Sequence, residues 1–395
     1  MQTKSIANIE HNLCTGCMMC ADVCNKHAIS FPYTKGFWYP KVDVNKCIEC
    51  GLCKKKCPII NNNIINENTE IKCYGAKSKD ETTRLDSTSG GFFSELGKLW
   101  ISEGGICVGA IYDDHQNIIH AIGENINSIT KLRQSKYAQS NTLGIYKEVK
   151  RRLKNNEKIL FCGTPCQVEA LLSFIGERRE NLLTMDFVCL GICSPYVYRK
   201  YLDMLEKKYK SPILRVWFKN KEFGWRSIST KINFQNGKTY HKPGSHDLFM
   251  TGFVTDALYM RKSCEHCKFR KLPHNSDFTV ADFWGLEKIN PKVDDNLGMS
   301  AIMVNTQKGQ LYINKLLPSL DYFHTSLQDI IQGNFSIITP KTPNPKMDEF
   351  MEYIENHDFK KSMYKYSSIN ATKELRFKLS ELKSKVQKHI LSKIK

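Results

Sequence analysis

The apolar positions change period several times along the chain, and each change marks a different kind of element. "KCYGAKS" (72–78), "GGICVGAIYDD" (104–114), "KILFC" (158–162) and "NLLTMDFVC" (181–189) are short apolar runs that read as strands. "GGFFSELGKLWISEG" (90–104), "LGIYKEVKRRLKNN" (143–156) and "PYVYRKYLDMLEKKY" (195–209) carry apolar residues at helical spacing. Strands that alternate with helices predict an α/β domain with a largely parallel sheet. Residues 213–240 alternate with period two and predict antiparallel strands. Residues 346–395 read as helical and peripheral. The Asn-rich "NNNIINENTE" (61–70) reads as a linker behind a short N-terminal region.

Cysteine spacing sharpens this picture. The chain has 395 residues and 16 cysteines, and the start has no signal pattern. A reducing, cytoplasmic location is expected, where metal or cluster ligation explains the thiols better than disulfides do. "CTGCMMCADVC" and "CIECGLCKKKCP" repeat C-x2-C-x2-C-x3-C. Three closely spaced thiolates can wrap one cluster, while the fourth ligates the other cluster of the pair. Cluster one therefore takes Cys14, Cys17, Cys20 and Cys57; cluster two takes Cys47, Cys50, Cys53 and Cys24. Two tight tetrads of this kind fit zinc poorly. This N-terminal region resembles bacterial dicluster ferredoxins, with Asn25 where their pattern usually has proline.

"LFCGTPCQ" (160–167) ends a strand and opens a helix. Thr164 and Gln167 form a capping box, Pro165 suits the first turn, and Gly176 ends the helix. Cys166 thus lies where unpaired amides stabilise a thiolate. Cys189 ends the next strand, before a helix opened by Ser194 and Pro195. Both cysteines would lie at the carboxyl edge of the sheet. "SCEHCKF" adds Cys264 and Cys267, so Cys166, Cys189, Cys264 and Cys267 form a third four-cysteine set. Cys162 and Cys193 are the spare candidates, and Cys73 and Cys107 read as core. Zinc is the rival occupant of the third set. A Cys162–Cys166 dithiol is the redox rival.

Charge adds less. The formal net charge is +18, but thiolate-ligated clusters offset part of it. The tail "TKELRFKLSELKSKVQKHILSKIK" holds eight Lys/Arg against two Glu. Its stripe Leu375, Leu379, Leu382, Val386, Ile390 and Ile394 would pack on the body, or dock to a partner or a membrane surface. No 18-residue apolar run exists, so no transmembrane segment is expected. Nucleic acid is the less favoured reading of the basic patch.

Obligate one-electron clusters are usually joined to a cofactor such as flavin that handles one or two electrons. The sequence has neither G-x-G-x-x-G nor a P-loop. Ser87 to Gly91 can cradle a phosphate at a helix start. Lys136 can meet an anion, Tyr137 or Trp284 can stack on a ring, and Asp282 can orient a substrate.

"STSGGFFSELG", "LRQSKYAQS", "GTPCQVEALLSFIG", "DFVCLGICSP", "SCEHCKF" and "SDFTVADFWG" occur in this order. Together they resemble the coenzyme F420 hydrogenase/dehydrogenase beta-subunit family, over residues 1–310. The resemblance implies FAD bound near Ser89, Gly90, Gly91, Lys136 and Tyr137, with Gly163 and Thr164 as further cofactor-binding candidates. It also implies a cluster on Cys166, Cys189, Cys264 and Cys267, beside the flavin. Family members often have histidine after the motif cysteine, where this chain has Leu190, so no proton donor is carried over there. Many bacterial members are encoded near polysaccharide genes, so the family name does not fix a substrate.

The expected organisation has four parts. Residues 1–65 form a dicluster ferredoxin fold and 66–155 the first part of the beta-subunit-like region. Residues 156–345 form its second part with FAD and the third cluster, and 346–395 a basic helical tail. The fold class is α+β and α/β, with a mixed flavin-binding domain. The expected function is a flavin-dependent iron–sulfur oxidoreductase. Its redox partners would be ferredoxin, a hydrogenase, a deazaflavin, a nicotinamide or another organic molecule. A non-catalytic electron-transfer subunit or adaptor is the alternative.

Overall fold

In a computed structural model, residues 4–61, 70–177, 180–377, 379–380 and 383 are described. Most of the expected linker, 62–69, lies outside them. The N-terminal part holds two one-turn helices, α1 (Met19–Asp22) and α2 (Leu52–Lys55), each starting inside a cysteine run. Two pairs of two-residue strands lie between them in sequence.

The body is built on one eight-stranded sheet. Its strands are β1 (Lys72–Ser78), β2 (Ile106–Tyr112), β3 (Ile118–Gly123), β4 (Ile159–Gly163) and β5 (Leu182–Phe187). A separate antiparallel sheet follows: β6 (Ile213–Asn220), β7 (Ser229–Phe234) and β8 (Thr239–Pro243). The main sheet then resumes with β9 (Phe278–Asp282), β10 (Ser300–Val304) and β11 (Leu320–Thr325). Its order is β11-β1-β10-β9-β5-β4-β2-β3.

This sheet is mixed, which corrects the expectation of a largely parallel one. Only β9, β5, β4 and β2 run parallel, in the centre. The flanking pairs are antiparallel. The connections explain the difference: a tight turn joins β2 to β3, and a tight turn permits only antiparallel pairing. A helical crossover, α6 below, joins β4 to β5.

Helix α3 (Phe92–Ser102) packs on one face of the sheet, with Phe92, Leu96 and Trp100 buried against Phe278 and Ile302. Helices α5 (Ile145–Lys154) and α6 (Pro165–Ile175), preceded by the short α4 (Ile126–Leu132), cover the other core. Ile145, Tyr146, Val149 and Leu153 recur at helical spacing and are buried, while Arg151 is exposed. The expected caps form: Gln167 accepts from the Thr164 amide at 2.9 Å, and Gly176 ends α6 at φ 86°.

Helix α7 (Pro195–Tyr209) and the β6–β8 sheet enclose a third, aromatic core. Within it the buried Asp247 accepts from Tyr201 and Tyr240 at 2.8 and 2.7 Å, fixing the segment after β8. Residues 346–366 are not peripheral as expected. Their helices α8 (Met347–Asn356) and α9 (Phe359–Tyr366) close this core with Phe350, Ile354 and Met363, all 0% exposed. Of the tail stripe, Leu375 and Leu379 are exposed, and Leu382, Val386, Ile390 and Ile394 lie outside the described residues.

Gly90 locks the loop before α3 to the sheet. Its carbonyl accepts from the Ser78 amide at 2.7 Å, and its amide donates to Ser300 Oγ at 3.0 Å. A Cβ there would stand 2.2 Å from the Ala76 oxygen and 2.6 Å from the Ser300 nitrogen, both backbone atoms. Gly90→Ala should therefore destabilise the protein by about 1–3 kcal/mol, seen as a lower urea midpoint at unchanged slope.

Candidate redox centres and cofactor cavity

The two N-terminal cysteine loops share one backbone device. Gly16 and Met18 in the first loop, and Glu49 and Gly51 at the matching places in the second, all have positive φ, between 50° and 75°. Left-handed residues at these places turn successive amides and thiols toward one side, the concave form that suits iron–sulfur sites. Amides meet the sulfurs accordingly: Ala28 donates to Cys24 at 3.4 Å, and Cys57 is met by the amides of Ile59 and Ile60.

The thiols group as spacing suggests. Burial, with Cys57 and Cys14 adding, pushes the Cys17 thiol up to about 12. Burial also raises Cys20, and Cys17, Cys14 and Cys57 add to it. Cys53 is raised by burial with a contribution from Cys24, the cysteine of the other run. Cys47 is half-buried and Cys50 exposed. Cys53 also acts on Cys20 and Cys57, so the two N-terminal sets adjoin.

The third set assembles from three distant segments. Cys166 lies in the first turn of α6, Cys189 beyond the end of β5, and Cys264 and Cys267 in a loop after the aromatic core. All four line one small cavity. Burial first, then the neighbouring thiols, raises Cys166, and pushes Cys189 and Cys264 up to about 12. Thr164 Oγ1 lies 3.1 Å from Cys166 Sγ, and the Ile192 amide donates to Cys264 Sγ at 3.2 Å. Cys17 is among the groups that act on Cys166, so the third set adjoins the first.

Three further atoms on this cavity's lining residues are buried without a hydrogen-bond partner: Ser263 Oγ, Arg270 Nε and His274 Nε2. His274 is fixed through Nδ1 on Asp186 at 2.9 Å. Burial lowers its pKa, but Asp186 outweighs burial and the net shift is upward. Unpaired buried polar atoms are costly, and cluster sulfurs accept hydrogen bonds of this kind. Among the described residues no group of three or more His, Cys, Asp or Glu is arranged to hold a single metal ion.

Beside the third set opens a cavity of about 1180 Å³ at the carboxyl edge of the central strands. That edge is where open α/β sheets take ligands. Thr164 and Cys189 line both cavities. Of the expected cofactor residues, Ser89, Gly91, Lys136, Tyr137, Gly163 and Thr164 line the large one, as do Asp282 and Trp284. Gly90 does not; it is spent on the sheet contacts above. Ser89 Oγ donates to the Met299 carbonyl at 2.5 Å.

Lys136 Nζ donates to the carbonyls of Leu132, Arg133 and Gln134, and burial lowers its pKa to about 7. Trp284 stacks on Trp225 at 4.6 Å. Cys162 faces the large cavity rather than the third cysteine set, and burial pushes it up to about 12. Cys193 is buried in the aromatic core, and Cys73 and Cys107 in the sheet cores.

Several residues escaped the sequence reading. Lys219 lines the cavity, pairs with Asp282 and bonds Tyr137. Burial lowers its pKa, but Asp282 outweighs burial and raises it overall. Its only local signal is a cation near the end of a largely apolar strand that also carries Arg215. Arg133 lines the cavity and pairs with Asp86 at 2.8 Å. His120 bridges Ser140 Oγ (2.9 Å) and the Cys162 carbonyl (3.2 Å), and burial lowers its pKa to about 4.

Arg261 and Asp22 seat the N-terminal domain on the body. The Arg261 guanidinium, 0% exposed, donates to the carbonyls of Cys14 (2.7 Å) and Trp38 (3.0 Å) and to Gln139 Oε1 (3.1 Å), beneath the Tyr39 ring. Gln139 in turn donates to the Gly16 carbonyl at 2.9 Å. Asp22 accepts from the amides of Gly144, Tyr146 and Lys147 at the start of α5, where a helix favours negative charge.

These features define an iron–sulfur redox protein. Residues 13–60 match the 4Fe–4S dicluster domain, which holds two such clusters. Residues 156–325 match the C terminus of the coenzyme F420 hydrogenase/dehydrogenase beta subunit. The match places residues 156–325 with that beta-subunit family, behind an N-terminal 4Fe–4S dicluster domain. At this level it is an iron–sulfur electron-transfer protein related to the F420 hydrogenase beta subunit.

A chain of the F420-reducing NiFe hydrogenase complex from Methanosarcina barkeri, solved in a xenon-derivatised form, is similar at 16% identity and a TM-score of 0.46. The match covers 76% of this chain and 94% of that one. No curated protein matches the chain at a significant level. Among the described residues no helix is long and apolar enough to cross a membrane.

Replacing Arg261 with alanine leaves three buried acceptors unpaired. It should cost about 3 kcal/mol or more and raise amide hydrogen exchange in residues 14–20. His120 gives a pH signature. Its pKa is about 4 in the fold and about 6.5 in the unfolded chain, so only the unfolded chain takes up the proton as pH falls below 6.5. Stability should drop by up to about 3 kcal/mol between pH 6.5 and 4. In His120→Gln this part of the pH dependence should vanish, read from urea midpoints across that range.

Proposed function

We propose that the chain is a flavin-dependent iron–sulfur oxidoreductase that exchanges reducing equivalents with a deazaflavin, a nicotinamide or another organic molecule. One observation carries the reading. The four-cysteine set of α6 adjoins the dicluster ligands through Cys17 and shares Thr164 and Cys189 with a cavity large enough for a dinucleotide cofactor. Bound clusters would supply one-electron carriage, and a bound flavin would join single electrons to hydride exchange.

The chain's own residues supply the rest. Cys14, Cys17, Cys20 and Cys57 would hold one cluster; Cys47, Cys50, Cys53 and Cys24 the second. Cys166, Cys189, Cys264 and Cys267 would hold the third. The amides of Thr88, Ser89 and Gly91 and the start of α3, with Arg133 and Lys136, would meet phosphate oxygens. The rings of Tyr137 and Trp284 offer flat apolar walls.

Lys136, with a pKa of about 7, can give or take a proton at Nζ near neutral pH. The Lys219–Asp282 pair holds its proton firmly and serves orientation instead. Leu190 lines the same cavity and carries no titratable proton.

Anaerobically purified protein should contain about twelve iron atoms and one FAD per chain. Cys166→Ser should lose about four of those iron atoms while Cys162→Ser keeps them all. A fully iron-loaded sample without flavin would leave only electron transfer. The reverse pattern in the two serine variants would restore the Cys162–Cys166 dithiol.

A further inference from the structure

The two halves of the N-terminal domain repeat one motif, but among the described residues only one of them is covered. Met19, in the first loop, is 1% exposed and packs among Tyr146, Val149, Val168 and Leu171 of α5 and α6. Leu52, at the matching place in the second loop, is 38% exposed. In the same half Val44, Ile48 and Ile60 are also exposed, and so is the thiol-bearing Cys50. The charges invert between the halves. Asp22 of the first half is buried against the amides of α5, whereas its counterpart in the second half is the exposed Lys55.

Lys41, Lys46, Lys54, Lys55 and Lys56 stand against only Asp43 and Glu49 between residues 41 and 57. Lys46 pairs with Asp43 at 3.6 Å. The open half therefore exposes apolar side chains on a segment of excess positive charge, which also carries Cys47, Cys50 and Cys53.

We propose that this face docks an acidic one-electron carrier protein. The proposal rests on the reading of the N-terminal cysteines as cluster ligands. The apolar side chains exclude water at the contact, and the lysine rim steers and orients a partner of opposite charge. A small patch suits a transient electron-transfer encounter, which buries less than about 1,200 Å². Each encounter moves one electron: the reduced carrier is oxidised, this chain is reduced, and no atom or proton crosses.

The test uses full-length, anaerobically loaded protein and a reduced acidic 2Fe–2S ferredoxin as probe. Stopped-flow absorbance gives the second-order rate, and titration calorimetry with oxidised ferredoxin gives binding. The rate should fall about tenfold or more between low and high salt. Lys46→Glu/Lys54→Glu/Lys55→Glu should lose about tenfold in both rate and affinity. Because Lys54 and Lys55 lie in the ligand loop, Lys41→Glu/Lys46→Glu provides a second reversal that should act in the same direction.

Lys207→Glu/Lys238→Glu, outside the dicluster domain, should change neither. Wild-type rate and affinity in both rim variants, or equal losses in the Lys207/Lys238 control, would overturn the proposal. So would rim variants that lose only binding to anionic phosphatidylserine vesicles. Dithionite separates the two readings. Clusters that bleach with dithionite while the rim variants behave as wild type sink only the docking face. A chain that takes up no iron sinks the cluster reading beneath it.

Discussion

A single buried guanidinium sets the geometry of the molecule. Arg261 reaches from a loop of the body to the carbonyl of Cys14, a separation of 247 residues in sequence, and to the carbonyl of Trp38. A buried cation must be compensated, and here the compensation comes from backbone carbonyls in the first cysteine loop and its neighbour, with Gln139 and Tyr39 completing the shell. Charge balance therefore fixes where the N-terminal domain sits. The orientation of that domain in turn puts Cys17 beside Cys166 at the start of α6. Asp22 on the α5 amides fixes the other side of the contact.

Helix α6 makes this arrangement functional. It is the crossover between β4 and β5, so its first turn must lie at the carboxyl edge of the sheet. The same turn presents Cys166 toward the N-terminal domain and Thr164 toward the large cavity. The meeting of the third four-cysteine set with the large cavity thus follows from one βαβ unit and one domain contact. The buried Asp247, held by two tyrosines, plays a supporting part by fixing the segment after β8 that forms part of the cavity wall.

Much of this was legible in the sequence because its information is local. Cysteine spacing, the Thr164–Gln167 capping box and the Gly176 stop are properties of short windows. The position of Cys189 follows from where an apolar run ends. Partner choice is not local. Nothing within β1 or β11 says that each runs antiparallel to its neighbours, and the charged face of residues 347–366 hides apolar positions whose partners lie around Tyr259. Gly16 and Gly51 advertise positive φ, but Met18 and Glu49 adopt it under constraints their own sequence does not show. Lys219, Arg261 and the Asp186–His274 pair were missed for the same reason: each is defined by a partner in another segment.

The lining of the small cavity ties the maturation of this protein to its folding. Besides the four cysteines, that lining includes Thr15 of the first cysteine loop. A residue of the N-terminal domain thus forms part of the wall around ligands supplied entirely by the body. Seating that domain through Arg261 therefore also completes part of the wall around Cys166, Cys189, Cys264 and Cys267. The surroundings of those four thiols are thus completed by a domain that contributes none of them, which couples the inner site to domain docking.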